Sequence, residues 1–259
     1  MKEYLFHHHT REEVARLAAS GCPVIIPLAA TEQHGPHLPV FTDSLIGEHV
    51  IYGAVSRANE QTPMLVTPVF TVGCSEHHLR FSGTISFTSS TYLHMLNDIA
   101  ESLVTCGFTK IIFVNGHGGN EKIMHQITSD IAVKHPVWTA SASYWSVAAE
   151  ALQEVQASEV GMVPGHAGGF ETSLIMAIAP ELVKHEHITD THIQRPWINS
   201  GPPGAFIGRH KELTGYDGYT DAANLATADK GAKYLDAIVS ALSEWLLHIT
   251  KQMNEGGES

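Results

Sequence analysis

Glu32, His34 and Asp43 lie in one short stretch, Thr31-Glu32-Gln33-His34-Gly35-Pro36-His37-Leu38-Pro39-Val40-Phe41-Thr42-Asp43. Carboxylates and imidazoles mixed in this way are the donor set that holds zinc, manganese or iron. Alternate residues of an extended segment share a face, so Glu32 and His34 can reach one centre. The loop that follows is long enough to return Asp43 to it. Two further donors stand later in the chain. His117 sits in Asn115-Gly116-His117-Gly118-Gly119-Asn120, where glycines permit positive φ and remove side chains that would crowd an ion or a substrate. Glu171 enters an apolar run, Phe170-Glu171-Thr172-Ser173-Leu174-Ile175-Met176, where a carboxylate needs a partner or a cation. Each residue also has a plainer role open to it. Glu32 could be a solvated loop acid, His34 a surface imidazole and Asp43 a helix N-cap. His117 could be a turn residue bonded to backbone, and Glu171 a helix-start acid favoured by the dipole. Their convergence points to a metal site.

The elements that must position them alternate between strand and helix. Thr10-Arg11-Glu12-Glu13 is a capping box that opens a helix through Ala19, and His7-His8-His9 before it reads as the end of a first strand. Residues 23–30 form an apolar run bounded by Gly and Pro, which predicts a buried strand. A helix is predicted over 44–57, a strand over 64–67 and a short strand at Ile85-Ser86-Phe87. Ser89, Ser90 or Thr91 caps a long helix through Thr105, terminated at Gly107. Lys110-Ile111-Ile112-Phe113-Val114-Asn115 is the clearest buried strand. Helix follows over 121–134, strand over 137–143 and helix over 146–156. A Gly-rich turn, Gly165-His166-Ala167-Gly168-Gly169, enters a helix over 171–179. The chain reads as loop from about 184 to 218 and as an amphipathic helix from about Thr227 to Met253. This alternation predicts an α/β fold with a mostly parallel sheet covered on both faces. Ligands of such sheets bind at the carboxyl ends of the strands. Glu32/His34, His117 and Tyr144/Trp145 all stand at or just past predicted strand ends.

The bulk composition limits the alternatives. The chain has 259 residues, 43% of them hydrophobic and 16% charged, so it can bury a sizeable core. With no linker, repeat or low-complexity tract, 1–259 reads as a single domain. A formal charge of −12 opposes binding to nucleic acid or to an anionic membrane. The 18 His outnumber the 15 Lys plus Arg, an unusual supply of metal ligands and proton carriers. Cys22, Cys74 and Cys106 form no Cys-x-x-Cys pair and no disulfide framework. There is no apolar leader and no run of membrane-spanning length, so a cytoplasmic protein is expected.

Three motifs carry a family resemblance. Thr31-Glu32-Gln33-His34-Gly35-Pro36-His37-Leu38-Pro39 with Thr42-Asp43 is followed by Val114-Asn115-Gly116-His117-Gly118-Gly119-Asn120. Gly165-His166-Ala167-Gly168 with Phe170-Glu171-Thr172-Ser173 completes the set. In order and spacing they resemble the creatininase (creatinine amidohydrolase) family as far as about residue 180, and Phe81-Ser82-Gly83-Thr84 resembles its Phe-Pro-Gly-Thr. The resemblance implies a three-layer α/β/α sandwich, a homohexamer and a hydrolase with two divalent metal ions, zinc foremost, manganese or iron otherwise. Carried onto this chain, Glu32 and His117 hold one metal, His34 the other, and Asp43 bridges them. His166 matches the family's catalytic histidine, and Trp145 a tryptophan of the creatinine pocket. Creatininase has Tyr-Glu where this chain has Gly118-Gly119, and that Glu is a metal ligand, so Glu171 becomes the candidate to replace it. Gly165 stands where creatininase has Glu, and Met162 lies near the place of a second pocket Trp. His77 and His78 are candidate pocket walls, with His78, Trp145, Gly118 and Gly119 as substrate contacts.

The expected reaction is attack of a metal-bridging hydroxide on a carbonyl, opening a cyclic amide or cleaving a formamide-like C–N bond. His166 would then deliver a proton to the leaving nitrogen. A second reading keeps the metals but opens a cyclic ketone or inosose-type sugar by C–C hydrolysis. A third, of another class, is a non-catalytic metal-binding or ligand-sensing protein. The partner expected in the first two is a small-molecule substrate.

Overall fold

The computed structural model describes residues 4–190, 207–210 and 217–256. Four parallel strands, β1 (Val24–Leu28), β2 (Leu65–Val66), β3 (Lys110–Asn115) and β4 (Trp138–Ser143), form a sheet in the order β2-β1-β3-β4. Every residue of β1 and β3 is buried, as the apolar runs Val24–Leu28 and Ile111–Val114 require of strands covered on both faces. The register sets Val24 against Ile111 and Leu28 against Asn115, so β1 and β3 end level with one another.

Alternation along the strands divides the core in two. Ile25, Ile112 and Val114 pack with α2 (Thr42–Ala58), α7 (Gly169–Ile178) and α8 (Ala228–Glu255). Val24, Ile26, Leu28, Ile111 and Phe113 pack on the other face with α1 (Arg11–Ala19), α3 (Ser89–Thr105) and α4 (Glu121–Lys134). The expected three layers of helix, sheet and helix are therefore present. The capping box of α1 forms, with Glu13 accepting from the backbone N–H of Thr10 at 2.8 Å.

Several local expectations need correction. Leu5 makes only a single bridge to Val66, and Phe6–His8 then turn as a short 3-10 helix, so His7 and His8 are exposed rather than ending a strand. Ile85-Ser86-Phe87 is not a strand: Ile85 alone bridges Thr31, antiparallel to it. The cap of α3 is Thr88, one residue before the three hydroxyl residues expected to compete for it. The helical stretch after β4 breaks into α5 (Tyr144–Val147) and α6 (Ala149–Glu154), because Ala148 leaves the helical region at ψ 10. Most of the 184–218 loop lies outside the described residues, as do Met1–Glu3 and the end of the C-terminal tail. Among the described residues no helix is long and apolar enough to cross a membrane.

Candidate metal centre

The carboxyl ends of β1 and β3 carry the expected donors. After β1 the chain closes a loop in which the Glu32 N–H donates to the Val40 carbonyl at 2.9 Å, returning the backbone to the head of α2. The Ser44 hydroxyl then ties α2 to the Ala30 carbonyl at 2.8 Å. Asp43 therefore points back at His34 and is only 3% exposed. It is not the helix cap, a place taken by Phe41 without a side-chain bond. After β3, Asn115 braces the next turn by accepting from the His117 N–H at 3.1 Å and donating to its carbonyl at 2.7 Å. Asn120 donates to the Ala29 carbonyl at 3.1 Å and links this turn to the end of β1.

Glu32, His34, Asp43, His117 and Glu171 converge, and all five are buried. Asp43 spans the group, with Oδ1 at 3.1 Å from His34 Nε2 and Oδ2 at 3.0 Å from His117 Nδ1. Glu32 Oε1 lies 3.3 Å from His117 Nδ1, and Glu171 Oε2 lies 3.7 Å from His34 Nε2. Glu171, in the first turn of α7, also accepts the Ala167 N–H at 2.6 Å. The outward ring nitrogens are occupied. His34 Nδ1 faces the Glu32 carbonyl at 3.1 Å, and His117 Nε2 faces the Cys74 carbonyl at 3.2 Å. Donation through those atoms would leave His34 Nε2 and His117 Nδ1 to offer their lone pairs to a cation once their own protons are displaced, the orientation a metal-ligating histidine needs.

Among the described residues, both Glu32 oxygens and Asp43 Oδ2 are buried without a partner in good hydrogen-bond geometry. A buried carboxylate without donors is costly, and a cation is the ordinary compensation. In the metal-free protein the cluster relieves its charge by taking up protons. Burial works against a charge on His34, but Asp43, Glu171 and Glu32 outweigh it and raise the imidazole to about 10. His117 is likewise raised against burial by Glu32 and Asp43. Burial pushes Glu171 up to about 8, with His34 offsetting only part of it. Burial would raise Asp43 too, but His34 and His117 hold it below the usual carboxylate range. Divalent cations would displace these protons, and the donor set fits them. Among the described residues, three triads have ligand atoms within 4.8 Å of one another: Glu32/His77/His117, Glu32/His34/His166 and His34/Asp43/Glu171.

His166 joins this group from the turn before α7. Its Nδ1 is 3.6 Å from Glu32 Oε1, and its Nε2 lies 3.0 Å from the Gln33 carbonyl. Burial, then the charge on His34, lowers it to about 3. His78 is buried and stacked on His166 with ring centroids 4.2 Å apart, and Gln33 Nε2 donates to its Nδ1 at 2.7 Å. Gly118 faces open space, whereas a Cβ on Gly119 would fall 2.1 Å from the Cys74 carbonyl oxygen. Trp145 is half-buried, edge-on to Tyr144 at 5.0 Å and packed on the α2–α7–α8 side of the core. His37 binds Thr172 Oγ1 at 2.9 Å through Nε2, and burial lowers it to about 4, so it braces α7.

Two contributions escaped the sequence reading. His77 reaches the Glu32/His117 pair, although only its neighbour His78 stood out as a substrate contact. Asp221 organises the turn that carries His166. Its carboxylate accepts from the backbone N–H of Met162 at 3.2 Å and of Gly169 at 3.3 Å, and from the Thr220 hydroxyl at 2.7 Å. Thr220 in turn accepts the His166 N–H at 2.7 Å. No local pattern marks an acid whose partners lie so far back in the chain.

Known proteins resemble this chain in sequence and in fold. Over 180 residues the chain is 29% identical to the mycofactocin precursor peptide peptidase of Mycobacterium ulcerans, covering 68% of this chain and 66% of that protein, just under two thirds of its length. Over 249 residues it is 26% identical to the creatinine amidohydrolase of Pseudomonas putida, covering 90% and 92% of the two chains. It is 24% identical over 256 residues to the 3-dehydro-scyllo-inosose hydrolase of Thermotoga maritima, covering 90% of this chain and 79% of that one. A crystal structure of creatinine amidohydrolase shares the fold, with a TM-score of 0.78 at 24% identity over 98% of this chain and 99% of that one. Creatininase has also been solved as a manganese form and, in a mutant, as a zinc–zinc form, each with a TM-score of 0.75 at 24% identity, over 97% and 98% of this chain and 99% of theirs. The family model for creatininase, described as creatinine amidohydrolase, matches residues 7–246. With the sheet, the buried donor cluster and that match in agreement, the chain belongs to the creatininase family, whose members are hydrolases.

Proposed function

We propose that this protein is a hydrolase dependent on two divalent metal ions, acting on the C–N bond of a cyclic amide or a formamide-like group. The observation that supports the reading is the set of buried carboxylate oxygens on Glu32 and Asp43 faced, among the described residues, only by imidazole nitrogens at the edge of hydrogen-bond geometry. Glu32 and His117 would hold one cation, His34 and Glu171 the other, with Asp43 between them. Zinc fits this mixture foremost, and manganese or iron are also suited to it. Bound there, the cations would supply Lewis acidity, activating water as the nucleophile and polarising the carbonyl.

The protein's own groups handle the protons. At neutral pH, His166 is a neutral base in a site that lowers it to about 3, so the proton it delivers must first be taken up. Its Nδ1 faces the cluster while Nε2 is held on the Gln33 carbonyl. It can therefore accept a proton from the attacking water at Nδ1 and return it to the departing nitrogen. Protonation is required because an amide anion is a prohibitive leaving group. Asp43 and Glu171 keep His34 oriented, and Gly118 leaves room for a substrate beside His117. Trp145, His78 and Gly119 complete the proposed substrate contacts, Gly119 through its backbone alone. A single domain, a cytoplasmic location and a homohexamer belong to the same proposal.

The inosose hydrolase among the relatives favours a second reading, C–C ring opening of a cyclic ketone in the same site. A panel of cyclic amides, formamides and cyclic ketones, assayed with defined zinc, manganese and iron, separates the two. His166→Ala should lower turnover by about 10²–10⁴-fold while both metals remain bound. Unchanged turnover would remove His166 from catalysis. A pure sample without metal, and without activity after zinc or manganese is added, would defeat the reading as a whole.

A further inference from the structure

His77 lies in the 3-10 turn Glu76–His78, which is tied to its surroundings at both ends. The Cys74 N–H donates to Asn120 Oδ1 at 2.9 Å and the Ser75 N–H to Ser86 Oγ at 2.7 Å. The Phe81 N–H closes on the His78 carbonyl at 3.0 Å. The His77 ring is thereby set parallel to that of His117, with centroids 5.8 Å apart and planes at 10°. Its contacts among the described residues are ring contacts with His77's two imidazole neighbours, His78 and His117, and no hydrogen bond to its nitrogens is found there. A ligand atom of His77 lies within 4.8 Å of ligand atoms on both Glu32 and His117. Glu32, fully buried, has neither oxygen satisfied by a described residue. Among the described residues, an imidazole whose nitrogens have no hydrogen bond and a carboxylate with both oxygens unsatisfied thus lie within reach of one cation.

Gly119 supplies an independent argument. A side chain there would place Cβ at 2.1 Å from the Cys74 carbonyl oxygen, 2.5 Å from His117 Nε2 and 3.0 Å from His77 Cε1. Position 119 therefore has no room for the carboxylate that creatininase carries at the corresponding place. The space over the glycine is bounded by His77. Glu171 brings a replacement donor to the His34 side, and His77 is placed to bring one to the Glu32 side.

We propose that His77 is a metal ligand of this protein, joining Glu32 and His117 in the donor set of the cation on the Glu32 side. The inference rests on the two-cation reading above. It makes the two positions chemically unequal. Counting Asp43 on both, the Glu32 side would have two imidazoles and two carboxylates, and the His34 side one imidazole and two carboxylates. Imidazole-rich sites suit zinc, and oxygen-rich ones tolerate manganese.

The test compares the zinc-loaded full chain with His77→Ala and with the larger, volume-keeping His77→Gln. Metal per chain is measured after equilibration with graded chelator. Cobalt-substituted samples are examined by proton NMR, where each bound histidine contributes one exchangeable, hyperfine-shifted imidazole N–H signal. Wild-type chain should hold two zinc ions. Both variants should release one of them at a chelator concentration at least ~10–100-fold lower, since even the loss of a ligand's hydrogen-bonding partner has an effect of that size. The other ion should be retained, one shifted N–H signal should be missing, and the melting temperature of the metal-free protein should not change. Identical release curves and an unchanged signal count would overturn the assignment of His77. A wild-type chain that never carries two ions would overturn the two-cation reading itself, and the His77 assignment with it.

Discussion

Replacing Glu171 by Gln should stabilise the metal-free protein and destabilise the metal-loaded one. Gln keeps the shape and an oxygen for the Ala167 N–H, bonded at 2.6 Å in the native chain. It removes the ionisable group that burial raises from 4.5 to about 8. An acid raised on folding contributes its full stability below its unfolded value and loses it as pH rises toward its folded value. At pH 7 the unfolded chain has ionised this group while the folded chain holds it protonated. About 2.5 pH units separate pH 7 from the unfolded value, at ~1.4 kcal/mol each, so Glu171 costs about 3 kcal/mol in the metal-free state. The variant escapes that cost. At ~2 °C per kcal/mol for a chain of this size, its melting point in chelator should rise by about 6–7 °C. At pH 5 only about half a unit remains, and the gap should shrink to less than ~1 kcal/mol, or about 1–2 °C. With saturating zinc the order should invert, because the native chain gains the binding energy of an anionic donor that Gln lacks. Thermal unfolding in chelator and in zinc, at pH 5 and pH 7, gives all four values. A metal-free variant that melts at or below the native chain at pH 7, or a gap that does not change with pH, would refute the reasoning.

Two further substitutions test the scaffold around the site. Asp221→Ala strands two backbone N–H groups and the Thr220 hydroxyl, and should cost about 2–4 kcal/mol and lower turnover through the displaced His166 turn. Asp221→Asn, which keeps one acceptor oxygen, should recover part of both, as unfolding and steady-state rates would show. Gly119→Ala puts Cβ against the Cys74 carbonyl that orients His117, so metal per chain should fall. Full retention of both ions in that variant would refute the role assigned to this close approach.

The strands and the long helices were legible because their signals are local and repeated. β3 ends at the residues its apolar run predicted, and α2 and α4 match their predicted spans within two residues at each end. Ile85-Ser86-Phe87 had strand-like composition, but only Ile85 found a pairing partner, and a strand exists only where a neighbour offers one. Glu32, His34 and Asp43 could be recognised together because one loop carries them. His77 could not, since its proximity to Glu32 and His117 depends on how three separate loops pack. The role of Asp221 was invisible for the same reason: its partners, the Met162 and Gly169 N–H groups, belong to a turn far earlier in the chain. Side-chain identity reveals chemistry, while the meeting of distant loops is a property of the fold.

The pairing of Leu28 with Asn115 has a consequence for how this protein could be monitored. A slip of one residue between β1 and β3 would carry the end of one strand ~3.3 Å past the other and turn each of its side chains to the opposite layer. His117 would then no longer face Glu32 and Asp43, although the content of helix and sheet would hardly change. On the proposed metal reading, ions per chain would report strand register, which circular dichroism does not see. In a refolded sample, ions per chain would measure the fraction of molecules whose central strands have paired correctly.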